Sequence, residues 1–447
     1  MLLLPPSVDE WLGENHLARF VVDVVERLDL SPILAAYDAR PHGSTPYHPS
    51  ILVALLFYGY ATGTMSSRRI ERATHDSVPF RFIAGGHHPD HDTIAVFRRR
   101  HLAALTALFT QILVIAREMK MLKVGAVAID GTKVRANASR HAAVSYRRAR
   151  EIEATLREEV KRLLALAEQA DNTPLAEGMD IPAEITRRET RLAAIEKARH
   201  AIEKRSAEEA LAEYREALRK NVEQTEKAVE ETLQGRKPRR PPDPPDPPSV
   251  TPPDKAQHNF TDPDSRIMPD KGTFTQSYNA QLSVDTGTML IVGHHVSQKA
   301  NDKKEFLRAI ACIDVRGYGS PHSAIADAGY FSAENIGGTC LDVYIAPGRT
   351  RHHAPLSERL LPPGAGEPPP GATEAEKMRH KLNTEKGRAL YRLRKMTVEP
   401  AIGIIKEAMG FRRFLLRGAD KVRGEWGLVC LAYNLKRMFS LKVAQEA

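Results

Sequence analysis

Aromatic residues make up only 6% of this 447-residue chain, and its 3 cysteines, Cys312, Cys340 and Cys430, lie far apart. An odd number with no CxxC spacing excludes a disulfide framework and a cysteine zinc site, and fits a reducing compartment. Long apolar runs are also missing. The longest, around residues 51–60, falls far short of the roughly 20 residues that span a bilayer. The opening MLLLPPSVDEWL lacks the basic stretch that precedes the apolar part of a secretory signal. No Walker-type glycine loop and no GxSxG elbow occurs, so nucleotide hydrolysis and serine-hydrolase chemistry have no support. The expectation is a cytoplasmic protein without a membrane partner.

What is present is charge, unevenly placed. The formal net charge is +9 and the isoelectric point near 9.3. Residues 379–442 hold 16 Lys/Arg against 5 Asp/Glu, an excess greater than that of the whole chain. Residues 1–123, with 13 basic and 12 acidic side chains, are almost neutral. A polyanion-binding surface is therefore expected near the C-terminus, where Lys and Arg can displace counterions from phosphates. A solvated basic face is the plainer alternative.

The periodicity divides the chain. Residues 1–123 read as short amphipathic helices, one with Leu17, Phe20, Val21, Val24, Val25 and Leu28 at helical spacing. One helix carries Arg68, Arg69 and Arg72, and another Arg98, Arg99 and Arg100. The arrangement resembles a helix-turn-helix DNA-binding domain, or a helical bundle with exposed arginines. Asp92 is the expected cap of the later, longer helix. VGAVAID at 124–130 reads as a strand ending in an acid. Residues 145–234 then show a/d-like spacing broken at NTPLAEGMDIP, which predicts an antiparallel helical hairpin with coiled-coil character. Ser206-Ala-Glu-Glu209 is expected to restart a helix as a capping box. Residues 235–255 form a proline-rich linker. From 256 the pattern resumes with two strands around Asp285-Thr-Gly287, a helix in DKKEFLRAIACID, a strand in SAIAD, a short helix, a strand in CLDVYIAP and C-terminal helices. With the insert removed, the order predicts an α/β fold: a ribonuclease-H-like mixed sheet with flanking helices, built from residues 124–144 and 256–442.

Two acids end strands in this reading: Asp130 in AIDGTK and Asp327 in AIADAGY. In such a sheet the first and fourth strands are neighbours, so both carboxylates emerge at one edge, and Glu399 lies on a helix that can cross it. Three hard oxygen ligands suit Mg²⁺ or Mn²⁺, and two such ions can assist phosphoryl transfer. Taken singly, each aspartate reads as an ordinary turn residue, and Glu399 as one favoured by a helix dipole. Glu399 and Lys406 are seven apart and share a helical face, with the ammonium placed for a DNA phosphate. The cluster His87-His88-Pro-Asp90-His91 is geometrically poor for a metal, and the pairs His294-His295 and His352-His353 are weaker still.

AIDGTKVRANAS, QSYNAQLSVD, AIADAGYFSAENI, KLNTEKGRALYRLRKMTVEPAIGIIK, GFRRFLLRG and LAYNLKRM together resemble bacterial insertion-sequence transposases of the DDE type. The branch resembled carries a helical insert after the first catalytic strand. The resemblance implies that Asp130, Asp327 and Glu399 form the catalytic, metal-binding triad. It also implies that Tyr391, Arg394 (or its neighbour Arg392) and Lys406 attend the third acid and DNA. Lys133 and Arg135 would hold phosphate or lie on a solvated strand end. It implies a nucleoid-associated bacterial enzyme, acting as an oligomer, a dimer, that cleaves at terminal inverted repeats and joins the ends to target DNA. A DNA-binding regulator or inactive transposase, and a metal-dependent nuclease, are the competing readings. A third gives the hairpin a chiefly scaffolding role.

Overall fold

The computed structural model describes residues 7–38, 47–170, 180–234, 243–249, 251–270, 272–348, 367–368 and 371–446. They form two compact units, Met1–Asn137 with Asp264–Ala447, and Ala138–Pro263. The first begins with helices α1 (Val8–Trp11), α2 (Leu17–Glu26), α3 (Ser31–Asp38), α4 (Pro49–Ala61), α5 (Ser67–Asp76), α6 (Val78–Ile83), α7 (His91–Arg100) and α8 (Leu102–Glu118). Pro49 opens α4 where no amide donor is needed, and His48 accepts from the Ser50 amide. The helix is apolar almost all round and correspondingly buried. One long helix was expected over residues 91–119. The chain instead bends by 72° at His101, and Asp90 rather than Asp92 caps α7 through the Thr93 amide. No single helix among the described residues is long and apolar enough to cross a membrane.

The second unit holds β2 (Ala143–Ser145), α9 (Tyr146–Ala170), α10 (Ile181–Leu233) and β3 (Gln257–Asn259). Ion pairs Arg199–Glu153 at 2.7 Å, Arg157–Glu196 at 2.8 Å and Arg188–Glu159 at 2.8 Å run in opposite chain order, so α9 and α10 are antiparallel. Ala149, Ile195 and Ala198 pack in their seam. The expected restart at Ser206 does not occur: α10 runs unbroken for 53 residues. Ser206 is followed by Ala and Glu, good helix formers that carry the helix past it. Residues 172–179 of the NTPLAEGMDIP break and residues 235–242 and 250 of the proline-rich linker lie outside the described residues, while Asp180 caps α10.

β1 (Ala126–Arg135), in the first unit, lies at the centre of a six-stranded sheet. The sheet adds β4 (Arg266–Asp270), β5 (Thr273–Asp285), β6 (Ile291–Ser297), β7 (Ser323–Ala326) and β8 (Asp342–Ile345). Its order is β4-β5-β1-β7-β8, with β6 also paired to β5. β5 is antiparallel to β1, β4 and β6, whereas β7 and β8 continue parallel to β1. The protein is thus a mixed α/β fold with many helices. β4 had no counterpart in the sequence reading.

Short helices α11 (Phe306–Ala311), α12 (Val315–Tyr318) and α13 (Ala333–Gly337) link the later strands. Helix α11 is much shorter than the 13-residue run expected for it. After them come α14 (Glu374–Asn383), α15 (Glu385–Gly403), a π-turn at Ile404–Ala408, and α16 (Ala419–Glu446). Helix α15 lies against one face of β1, where Leu390, Tyr391 and Leu393 pack on Ala126, Ile325 and Tyr344. Helix α16 is buried along most of its length and packs with α4, α8 and β6. Arg98, expected at the surface, is 6% exposed and donates to the Tyr60 hydroxyl and the Met65 carbonyl.

Candidate active site

Asp130 does not end its strand, as the sequence suggested, but sits midway along β1. What ends there is the parallel pairing. Ile129 opposite Ala326 is the last β1–β7 pair, while the antiparallel ladder with β5 continues through Arg135. Asp130 and Asp327 are therefore the next residues on adjacent parallel strands. Side chains alternate along a strand, so Asp130, four positions beyond Ala126, faces α15. Asp327 turns the chain into a 3₁₀ turn, accepting from the Gly329 amide at 2.8 Å.

Helix α15 brings the third acid. Arg394 is 12% exposed and joins two of the three carboxylates. Its guanidinium lies 2.9 Å from Glu399 and 3.7 Å from Asp130, and 5.8 Å over the Tyr391 ring. Pro400 follows Glu399 inside the helix. Its missing N–H orphans the carbonyl of Met396, an exposed residue that water can reach. Lys406 falls in the π-turn, off the ideal helical phase that placed it with Glu399. Its ammonium donates to the Lys133 carbonyl at 3.0 Å, tying the turn to β1.

Sequence reasoning missed Asp302, which lies in the turn before α11. Its Oδ1 accepts from Asn279 at 2.6 Å, Gln281 at 2.8 Å and Lys133 at 3.3 Å. Gln281 in turn accepts from the buried Tyr330 hydroxyl at 2.5 Å. Gly131 makes room for this network: a Cβ there would meet Gln281 Nε2 at 2.1 Å and Asp302 Oδ1 at 2.9 Å. Arg135 lies outside it, 3.9 Å from Asp270.

The electrostatics are those of crowded acids. Burial pushes the Asp130 carboxyl up to about 7, and Asp327 and Asp302 add to the rise against the Gly131 amide and Arg394. Burial and the charges of Asp130, Asp302 and Asp327 hold the Tyr330 hydroxyl well above its ordinary range. Ionising such a group of carboxylates calls for a nearby cation, and in this structure Arg394 supplies part of it. Among the described residues, no three His, Cys, Asp or Glu side chains converge closely enough to hold one metal ion. The histidines at 87–91 are engaged elsewhere: His91 bonds Glu71 at 2.8 Å and His88 stacks on His75.

Residues 370–439 match the family model of a transposase DDE domain, and residues 6–100 match that of a transposase domain (DUF772). The two matches, each to less than half of the chain, indicate an insertion-sequence transposase of the DDE type. No curated protein and no solved structure matches the chain. Members of this family act on DNA and generally use divalent metal ions. The first match covers α15, with Tyr391, Arg394 and Glu399, the π-turn with Lys406, and much of α16; β1 and β7 lie outside both matches.

Proposed function

We propose that this chain cleaves DNA at the ends of its own mobile element and joins the freed 3′-hydroxyl to target DNA. Asp130, Asp327 and Glu399 are the proposed catalytic acids. The observation that carries the reading is the meeting of Asp130 and Asp327 at the end of the β1–β7 pairing, under a helix that bears Glu399. The strand order β6-β5-β1-β7-β8, with three antiparallel strands followed by two parallel ones, supports a ribonuclease-H-like catalytic sheet.

The donor set fits Mg²⁺ or Mn²⁺. All three ligands are hard oxygens, and a divalent cation held by Asp130 and Asp327 would relieve the upward push on the Asp130 carboxyl. Glu399, now paired with Arg394, would be the third residue to hold the ions. Two divalent ions held there would stabilise both the attacking and the leaving oxygen of a phosphodiester. The chain's own groups do the rest. Asp302, Gln281 and Tyr330 fix the floor beneath Asp130. Arg394 and Tyr391 are placed to steady DNA beside Glu399. Lys406 holds the π-turn against β1, while Lys133 and Arg135 present positive charge farther along the strand. The DNA partners are the terminal inverted repeats and the target, and the working assembly is a homodimer.

The test uses duplexes carrying the inverted repeats that flank the coding sequence, with Mg²⁺. Wild-type protein is expected to nick them and yield strand-transfer products. Asp130→Asn and Asp327→Asn should each lose at least about 100-fold in cleavage while melting as folded proteins. Full cleavage by either variant sinks the assignment of the acids. Cleavage without joined products makes the protein a nuclease, and binding without cleavage makes it a regulator.

A further inference from the structure

A second basic site lies along β6, an edge strand of the sheet. A cleft of about 780 Å³ opens there between the end of α7, the start of α16 and helix α11. Arg99, Arg100, Arg308, Lys421 and Arg423 line it with, among the described residues, a single carboxylate, Asp420. That acid is bound to Arg423 at 2.6 Å, and Arg308 lies 3.6 Å from Glu305, so the cations outnumber the acids that face them. Other parts of the lining are apolar: Leu102, Ala103, Val296 and Ala311, with Cys312 beside them. The walls come from both matched segments, since Arg99 and Arg100 close the first and Lys421 and Arg423 lie in the second.

A lining that mixes cationic and apolar side chains suits a ligand with a polyanionic edge and a less polar body. A free inorganic anion uses only the cations. A DNA backbone uses both, with phosphates on the guanidinium groups and sugar edges on the apolar side chains. The cleft is also set apart from the three proposed acids. His295 on β6 is in register with Gln281 on β5, which is in register with Gly131 on β1, so β6 lies two strand spacings, about 10 Å, from β1. We propose that this cleft is a separate binding site for the phosphodiester backbone of duplex DNA, holding DNA away from the site of cutting. The inference rests on the reading that the chain acts on DNA.

The cysteines provide an internal probe. Cys312 and Cys340 are exposed and Cys430 is buried, and only Cys312 lines the cleft. The experiment follows alkylation of the full-length protein by iodoacetamide, with and without a random-sequence DNA duplex, in EDTA so that no divalent ion contributes. Duplex DNA is expected to slow labelling of Cys312 severalfold and leave Cys340 unchanged. In parallel, the doubly substituted Arg308→Glu, Arg423→Glu protein should bind the duplex on the order of tenfold more weakly, with a shallower salt dependence. Equal Cys312 labelling with and without DNA overturns the proposal, as does protection by inorganic polyphosphate but not by duplex. Unchanged affinity and salt slope in the double variant also overturn it. If Cys312 is protected but the protein cuts no DNA with Mg²⁺, the cleavage reading fails and this site stands.

Discussion

Asp302 shows how much a single turn residue can carry. It collects Asn279 and Gln281 from β5 and Lys133 from β1; without it Asn279 keeps the Lys299 carbonyl and Gln281 keeps Asn279 Oδ1, but Lys133 loses its carboxylate. Asp302→Ala should therefore cost about 1–3 kcal/mol in urea unfolding. Cleavage should fall too, because Lys133 and Gln281 lose the anchor that sets them beside Asp130. A variant as stable as the parent would mean that water replaces the carboxylate at no cost. His294 makes a prediction about pH. Burial, with His295 adding to it, holds its imidazole down to about 4, and the ring stands edge-on to Phe109 with centroids 4.6 Å apart. Its folded pKa lies below the unfolded value near 6.5. Its contribution is thus complete above about pH 6.5 and is lost as pH falls toward 4. The limit is about 3 kcal/mol, reduced because the ring borders the cleft. Melting temperatures of the parent should drop through that window more steeply than those of His294→Gln; parallel curves would refute it. From sequence His294 stood out only as half of a weak metal-binding pair, and Asp302 not at all. A turn aspartate carries no periodic signature, and Asp302 reaches its partners through strand register more than 20 positions away.

Among elements, strands and helices were legible where their periodicity was clean, and less so where packing overrode local preference. The valine- and alanine-rich run before Asp130 marks a strand, but its true end at Arg135 depends on the long β5, which keeps pairing with it. Arginines in a helical run suggest a surface, and Arg98 is the counterexample. It belongs to a buried chain that joins three elements: Arg98 on α7 donates to Tyr60 on α4 at 3.0 Å, and Tyr60 donates to Glu425 on α16 at 3.0 Å. The other Glu425 oxygen accepts the Leu415 and Leu416 amides, each at 3.0 Å. Burial raises the Glu425 carboxyl above its ordinary range against these hydrogen bonds and the Arg98 charge. Glu425→Ala leaves two amides and the Tyr60 hydroxyl without their acceptor and Arg98 without its countercharge, and an expected loss of about 3–5 kcal/mol follows. Tyr60→Phe, which removes one hydroxyl and keeps the ring, should cost about 1 kcal/mol. Chemical denaturation of both variants checks the ratio. Equal losses would mean that Tyr60, not Glu425, is the keystone of the chain.

At the scale of the whole molecule, the 197 positions between Asp130 and Asp327 are explained by where the chain leaves the sheet and where it returns. Arg135 at the end of β1 and Arg266 at the start of β4 are both in register with Ser277, one on each side of β5. The exit and re-entry points are thus about two strand spacings apart, roughly 10 Å, a gap that four or five residues can bridge. The segment between them, Ala138–Pro263, has its own seam of Val144, Ala149, Ile195 and Ala198 and its own strand pair. Replacing residues 138–263 with a short Gly/Ser linker should leave the first unit folded, with a single cooperative transition. Its melting temperature is expected within a few degrees of the parent's, because loop closure changes only slowly with length. The excised segment, made alone, should be helical by circular dichroism. An insoluble or molten first unit would show that the sheet depends on the insert for its fold. If the shortened protein is folded but sediments as a monomer where the parent is a dimer, the α9–α10 hairpin is the dimerising element, and its length serves assembly rather than the catalytic sheet.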